Sequence, residues 1–274
     1  MRTVFGSSPF RNIAMFAAAA LTATPHAAWA HVGFLLPSTF HVEEGGTVTT
    51  IASFSDRFPN VEHPLRSTDF HVLTPGGESR AFGEVHAHDQ MTVLTARFDD
   101  PGVYRLSSGN RLGRKGQASI IDGSYVRLGR DGLGASSLPE GAPLLTSQTA
   151  TVSEVYIRSG DADLPEVLTT SGRLSLSLNA GGADGFTSGS PLAVAVMFDG
   201  EPLASTDVIF VSSFGSYTEG DGTTHQTDDQ GQVTLAADQA GPYVVLARHM
   251  AEAPEGAETD IRSYTTALVF EILP

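Results

Sequence analysis

The chain has 274 residues, no cysteine and a formal net charge of −15 at neutral pH. Neither disulfides nor thiolate-held metals are available to it, so its cores must be large enough to hold unaided. A surface this acidic repels nucleic acid and anionic lipid and draws cations.

The first segment predicts export. Arg2 and Arg11 form a positive start with no acidic residue, and Ile13 to Ala23 is an alanine-rich apolar stretch. That stretch is shorter than the roughly 20 residues a spanning helix needs. Pro25 breaks it, and Ala28-Trp29-Ala30 places small residues at the positions a signal peptidase reads. Residues 1–30 are therefore expected to be a cleaved signal peptide, with a mature periplasmic protein beginning at His31. No later apolar run is long enough to span a bilayer, so no membrane insertion is expected after cleavage. Removing Arg2 and Arg11 leaves 14 basic residues against 31 acidic ones, a balance of −17. Eight of the 9 histidines remain.

From His31 onward, strand signals dominate and helical periodicity is hard to find. Strands are predicted over 42–54, 70–73, 91–98, 103–106, 153–158, 173–178, 192–198, 207–211, 232–236, 243–248 and 264–272. Turn residues such as Pro75-Gly76-Gly77 and Asp99-Asp100-Pro101-Gly102 separate them. The expectation is an all-β protein of two antiparallel β-sandwich domains. The first spans residues 31–165 and the second 166–274. Gly109 to Gln148, rich in Gly, Ser and Arg, reads as an excursion of the first domain with weak strand signals at Ala118 to Ile121 and Tyr125 to Leu128; an ordered linker is the alternative.

The second block runs from the turn Gly200-Glu201-Pro202-Leu203, through Thr227-Asp228-Asp229-Gln230-Gly231, to Gly241-Pro242-Tyr243. This order resembles the prealbumin-like and carboxypeptidase-regulatory-like sandwiches, in which such glycines supply positive backbone angles. The whole mature chain resembles a family of periplasmic domains of unknown function often described as components of nickel or cobalt uptake. The matching pieces are His31-Val32-Gly33-Phe34-Leu35-Leu36-Pro37, Phe54-Ser55-Asp56-Arg57-Phe58-Pro59, His63-Pro64-Leu65, Gly241-Pro242-Tyr243 to Arg248-His249, Ser263-Tyr264 and Leu268-Val269-Phe270-Glu271. Many members carry tryptophan where this chain has Phe34. The resemblance implies a metal-related periplasmic role, with an inner- or outer-membrane metal transporter as the partner.

His31 is the most informative candidate ligand. After cleavage its α-amine and imidazole can chelate one divalent ion, and such donors suit nickel, cobalt, copper and zinc. In His86-Ala87-His88 both rings project from one strand face, with Glu84 two residues earlier. His63 follows Glu62 in a proline-bounded loop, so both can reach a shared ion. His249 ends a predicted strand and matches the family resemblance. One brace does not saturate a metal, so His86, His88 or His249 is expected near His31. His41, His71 and His225 read as ordinary strand histidines. The turns at Asp221-Gly222 and Asp228-Asp229 read as hairpins, since a calcium loop wants more oxygens at regular spacing.

No nucleophile-elbow, zinc-protease or phosphate-loop motif occurs, and no enzyme is expected. The expected function is binding or delivery of nickel or cobalt for uptake. The alternative is a non-catalytic, non-metal interaction module of the cell envelope built from the same sandwiches.

Overall fold

A computed structural model describes residues 31–129, 134–180, 186–214 and 222–274. The predicted signal peptide and Asp221 lie outside the described residues. The protein is all-β, as expected: its described residues form three sheets and one short 3-10 turn, Ala135–Ser137. Strands are numbered in chain order.

The first sheet has the order β1 (Val32–Pro37), β3 (Gly46–Ser55), β8 (Thr92–Phe98), β7 (Glu84–Ala87), with β4 (His63–Pro64) also paired to β3. The middle sheet runs β18 (Gly222–Gln226), β17 (Asp207–Ser212), β20 (Gly241–Glu252), β21 (Ile261–Ile272), β12 (Leu145–Ser159), β9 (Gly102–Ser107), β5 (His71–Leu73), β6 (Ser79–Ala81). Attached to it are β2 (His41–Val42) and the hairpin of β10 (Arg111–Ile121) with β11 (Ser124–Arg127). The third sheet is β13 (Val167–Thr169), β14 (Leu174–Asn179), β15 (Pro191–Phe198), β16 (Glu201–Pro202), with β19 (Gln232–Ala236) on β15.

Period-2 alternation decides which face each strand buries. In β14 and β15, Leu174, Leu176, Leu178, Leu192, Val194 and Val196 all point inward. The middle sheet is buried on both faces. Its Val155, Ile157, Val244, Leu246, Ala267 and Val269 join the core shared with the first sheet. Their strand neighbours Tyr156, Val245, Ala247, Leu268 and Phe270 join the core shared with the third. The molecule is thus a stack of three layers with two cores. The boundary read between residues 165 and 166 falls in the connection from β12 to β13.

Two features go beyond the sequence reading. The weak strand signals at Ala118 to Ile121 and Tyr125 to Leu128 belong to a longer hairpin: β10 runs from Arg111 to Ile121, pairs with β11 and lies along β12. The middle sheet is also not purely antiparallel, because β12 pairs in parallel with β21 over Ser147↔Ile261 to Val155↔Val269. A parallel neighbour needs a long crossover, and here the whole third sheet is spent between the two strands.

The acidic turn at 227–231 behaves as read. Asp228 Oδ1 accepts from the backbone N–H groups of Gln230 and Gln232, each at 2.9 Å. Gly231 has φ +70°, and a Cβ there would lie 2.7 Å from the Val196 carbonyl and 2.9 Å from the Leu203 nitrogen. Both contacts are backbone and cannot move aside. Gly231→Ala is therefore expected to destabilise the fold by about 1–3 kcal/mol. The check is urea unfolding: the midpoint should fall at unchanged slope, and an unchanged midpoint would contradict the assignment.

Candidate metal centre

The register of three strands assembles the site. β1 and β3 pair antiparallel, with Val32 opposite Ser55 and Gly33 opposite Phe54. One step further sets His31 opposite Asp56. On the other edge of β3, His63 of β4 lies opposite Phe54, which brings Glu62 level with Ser55. Residues directly opposite one another share a face, so His31, Phe54, Asp56 and His63 look the same way. The loop between β3 and β4 is held by buried Phe58, whose ring meets Phe34 edge-on at 5.2 Å, and by buried Leu65. The aromatic at position 34 is a packing residue.

His31 Nδ1 lies 2.6 Å from Asp56 Oδ1 and 3.8 Å from Glu62 Oε2. Single donor atoms of these three residues fall within 4.8 Å of one another. Glu62 is oriented by two donors: the Ser55 hydroxyl at 2.9 Å and the Asp56 backbone N–H at 3.2 Å. The His63 ring stands edge-on to His31, centroids 5.2 Å apart. Although the 2.6 Å separation suits an ion pair, Nδ1 is buried and has no aligned hydrogen-bond partner. A nitrogen shielded from water, beside two carboxylates and without an aligned hydrogen bond, is available as a ligand to a cation that the carboxylates share.

The structure brings His31 and His63 together and adds Asp56 and Glu62. His86 and His88 lie elsewhere. Strand order puts β7 three strands from β1, or about 14 Å at the usual spacing, and His86 is aligned with Leu36 rather than His31 through Val93 and Ile51. His86 is exposed beside Glu84 at 3.5 Å. His88, also exposed, falls just past the end of β7. His249 borders the same cleft as His31, but alternation along β20 turns its ring to the third sheet, where it packs on Phe198 at 4.6 Å. His41, His71 and His225 hydrogen-bond to the Gly160 carbonyl, the Asp69 carbonyl and the Thr223 hydroxyl. Asp56 is the ligand candidate missing from the sequence reading. Its signal was the strand register, which appears only once β1 is known to pair with β3.

Around His249 the chemistry is structural. Arg173 pairs with both carboxylate oxygens of Asp199, donates to the Tyr264 hydroxyl at 2.7 Å and lies 4.9 Å over the Phe198 ring. Burial pushes the His249 imidazole below its usual value, partly opposed by Asp199. Its neutral form is the one the fold prefers. That contribution is complete above the ordinary histidine value of about 6.5 and is lost as pH falls from there through the lowered folded value. The melting temperature should therefore drop between pH 7 and pH 5, and the drop should shrink in His249→Phe. Equal drops in the two proteins would contradict this.

An all-β scaffold carrying imidazoles and carboxylates at the end of its first strand is the class that fold and site define. The chain belongs to the family described as Domain of unknown function (DUF4198), which matches residues 28–251. No curated protein matches it. Among solved structures it is similar to adhesin InvE of Yersinia pseudotuberculosis, with 14% identity and a TM-score of 0.23, covering 88% of this chain and 61% of that one. It is similar also to the D0-D1 domain of intimin, with 13% identity and a TM-score of 0.21, covering 89% of this chain and 100% of that one. A DUF4785 family protein of Legionella pneumophila aligns at 9% identity and a TM-score of 0.25, over 77% of this chain and 50% of that one.

Proposed function

We propose that this chain is an exported periplasmic protein that binds nickel or cobalt at His31, Asp56, Glu62 and His63 and passes the ion to a membrane transporter. It is a carrier and not a catalyst. One observation carries the reading: His31 turns Nδ1, and not Nε2, toward the two carboxylates. Nδ1 is the ring nitrogen nearer the main chain, the one that closes a chelate ring with the residue's own α-amine. Removal of residues 1–30 frees that amine. The brace, two carboxylates and the neighbouring imidazole make a mixed nitrogen and oxygen set of the kind divalent nickel and cobalt accept. The resemblance to nickel and cobalt uptake components supports the same reading.

A second reading has its own observation. If the His31 ring is protonated, its 2.6 Å contact with Asp56 is an ion pair that ties β1 to the β3–β4 loop, and the protein is a non-metal envelope module. Titration calorimetry of untagged mature protein with nickel and cobalt separates the two. Stoichiometric binding that weakens on acidification is expected, because ligating imidazole and amine must be unprotonated. Absence of heat and of retained metal would favour the module.

A further inference from the structure

The cleft beside His31 reverses the sign of the protein's charge. The chain carries 16 basic and 31 acidic residues. Among the described residues the cleft is bordered by Arg111, Arg114, Lys115, Arg127 and Arg248 and by the acids Asp207 and Glu252. Arg111 and Arg114 are like charges beside one another and next to a cation site, which is unfavourable unless an anion lies between them.

The floor of the cleft is the middle sheet where the first sheet no longer covers it. Along one face of β12, apolar Val155 and Ile157 give way to Ser153, Thr151, Thr149 and Ser147. In the parallel neighbour β21, Ala267 gives way to Thr265 and Ser263, which pair with Thr151 and Thr149. A sheet face that changes from valine to hydroxyls at the point where its cover ends is built to meet something polar. Thr149, Thr151, Ser263 and Thr265 border the cleft.

Arg111 links floor and metal centre. It lies opposite Thr151 in the β10–β12 pair, and its guanidinium reaches 4.9 Å over the Phe54 ring. That ring in turn crosses Gly33, where a Cβ would come within 2.8 Å of it. Arg111 is half-buried and donates Nε to the Arg66 carbonyl at 2.8 Å. Burial and the neighbouring Arg114 both disfavour its charge. Lys115, by contrast, is paired with Glu258.

We propose that this cleft binds a small anion carrying several carboxylates, held by Arg111 and Arg114 over the hydroxyl floor, as co-ligand of a metal at His31. The proposal rests on the metal centre inferred above. The brace, Asp56, Glu62 and His63 leave one position open on a six-coordinate divalent ion, and one carboxylate of the anion fills it while the others neutralise the guanidinium groups. The cargo is then a metal chelate and not the bare ion. Arginine suits the task because its planar fork matches a carboxylate.

The probes are nickel alone, labelled citrate alone, and nickel with citrate in equal amounts, each passed with mature untagged protein through a desalting column and titrated by calorimetry. Nickel alone should bind, and citrate should be retained one to one only when nickel is present. In Arg111→Gln/Arg114→Gln citrate retention should weaken by roughly tenfold or more, with the affinity for nickel alone unchanged. Arg114→Gln by itself alters an exposed side chain and should show part of the loss in a protein with a native melting curve. Nickel binding without citrate retention, or citrate retention equal in the variants, overturns the co-ligand and leaves the metal centre standing. Citrate retained equally well without nickel also overturns it. Failure of nickel to bind overturns the metal centre, and the co-ligand with it.

Discussion

His31→Ala in the mature protein is expected to weaken nickel binding by roughly 100-fold, about 2.7 kcal/mol, without loss of fold. The residue precedes β1 and lies outside both apolar cores, so the fold does not depend on its ring. Its removal deletes one donor and opens the chelate ring, leaving the amine, Asp56, Glu62 and His63 to hold the ion. Adding one residue ahead of His31 is the gentler version. The imidazole stays and only the amine is displaced, so a loss of roughly tenfold, about 1.4 kcal/mol, is expected. Calorimetry on three proteins, native, extended and His31→Ala, should order them in that sequence. Equal affinity of the extended and native proteins would remove the amine from the ligand set; equal affinity of all three would remove the site.

Glu154→Ala is expected to give the largest loss of stability. Glu154 lies in the middle of β12 and its carboxylate is fully buried. It accepts from the Ser171 backbone N–H at 2.9 Å and the Ser171 hydroxyl at 2.6 Å, and Arg105 Nε lies 3.7 Å away. Arg105 also donates to the Thr169 carbonyl at 2.8 Å. The carboxylate thus ties the start of the third sheet to the middle one. Removing it leaves a largely buried guanidinium without its counter-charge and orphans the Ser171 donors. Breaking a buried pair in this way costs about 3 kcal/mol or more, which for a chain of this size lowers the melting temperature by roughly 6–12 °C. Glu154→Gln keeps one acceptor for the Ser171 N–H and can donate to its hydroxyl, so it should lose less. Thermal denaturation of both variants decides the matter, and a native melting temperature in Glu154→Ala would refute the assignment.

How much of this was readable beforehand differs from element to element. β14 and β15 of the third sheet were plain, because Leu174-Leu176-Leu178 and Leu192-Val194-Val196 bury one face and alternate cleanly, whereas the short β13 was missed and β16 was read as a turn. β12 was seen only at 153–158, because its first half trades valine for serine and threonine where it floors the cleft. β7 was absent from the predicted strands, although His86 and His88 were read as sharing a strand face; it is an edge strand that holds His86 away from His31 and ends before His88. For the site, His31 and His63 were named from residue chemistry and Glu62 as a neighbour of His63. Asp56 was not, because nothing in its local sequence sets it apart from a loop aspartate. Its partner is 25 positions earlier in the chain, and only the antiparallel register of β1 with β3 makes them face each other. Chemistry can be read residue by residue; convergence depends on pairing between distant segments.

The parallel seam of β12 with β21 has a consequence for how the chain reaches its native state. Thr146 and Asp260, joined by hydrogen bonds at that seam, are 114 positions apart in sequence. The middle sheet stays incomplete until the final strand arrives, and contacts of such separation make folding slow. Both cores lean on that sheet, so neither closes early. A chain that completes its central sheet last closes both of its cores last.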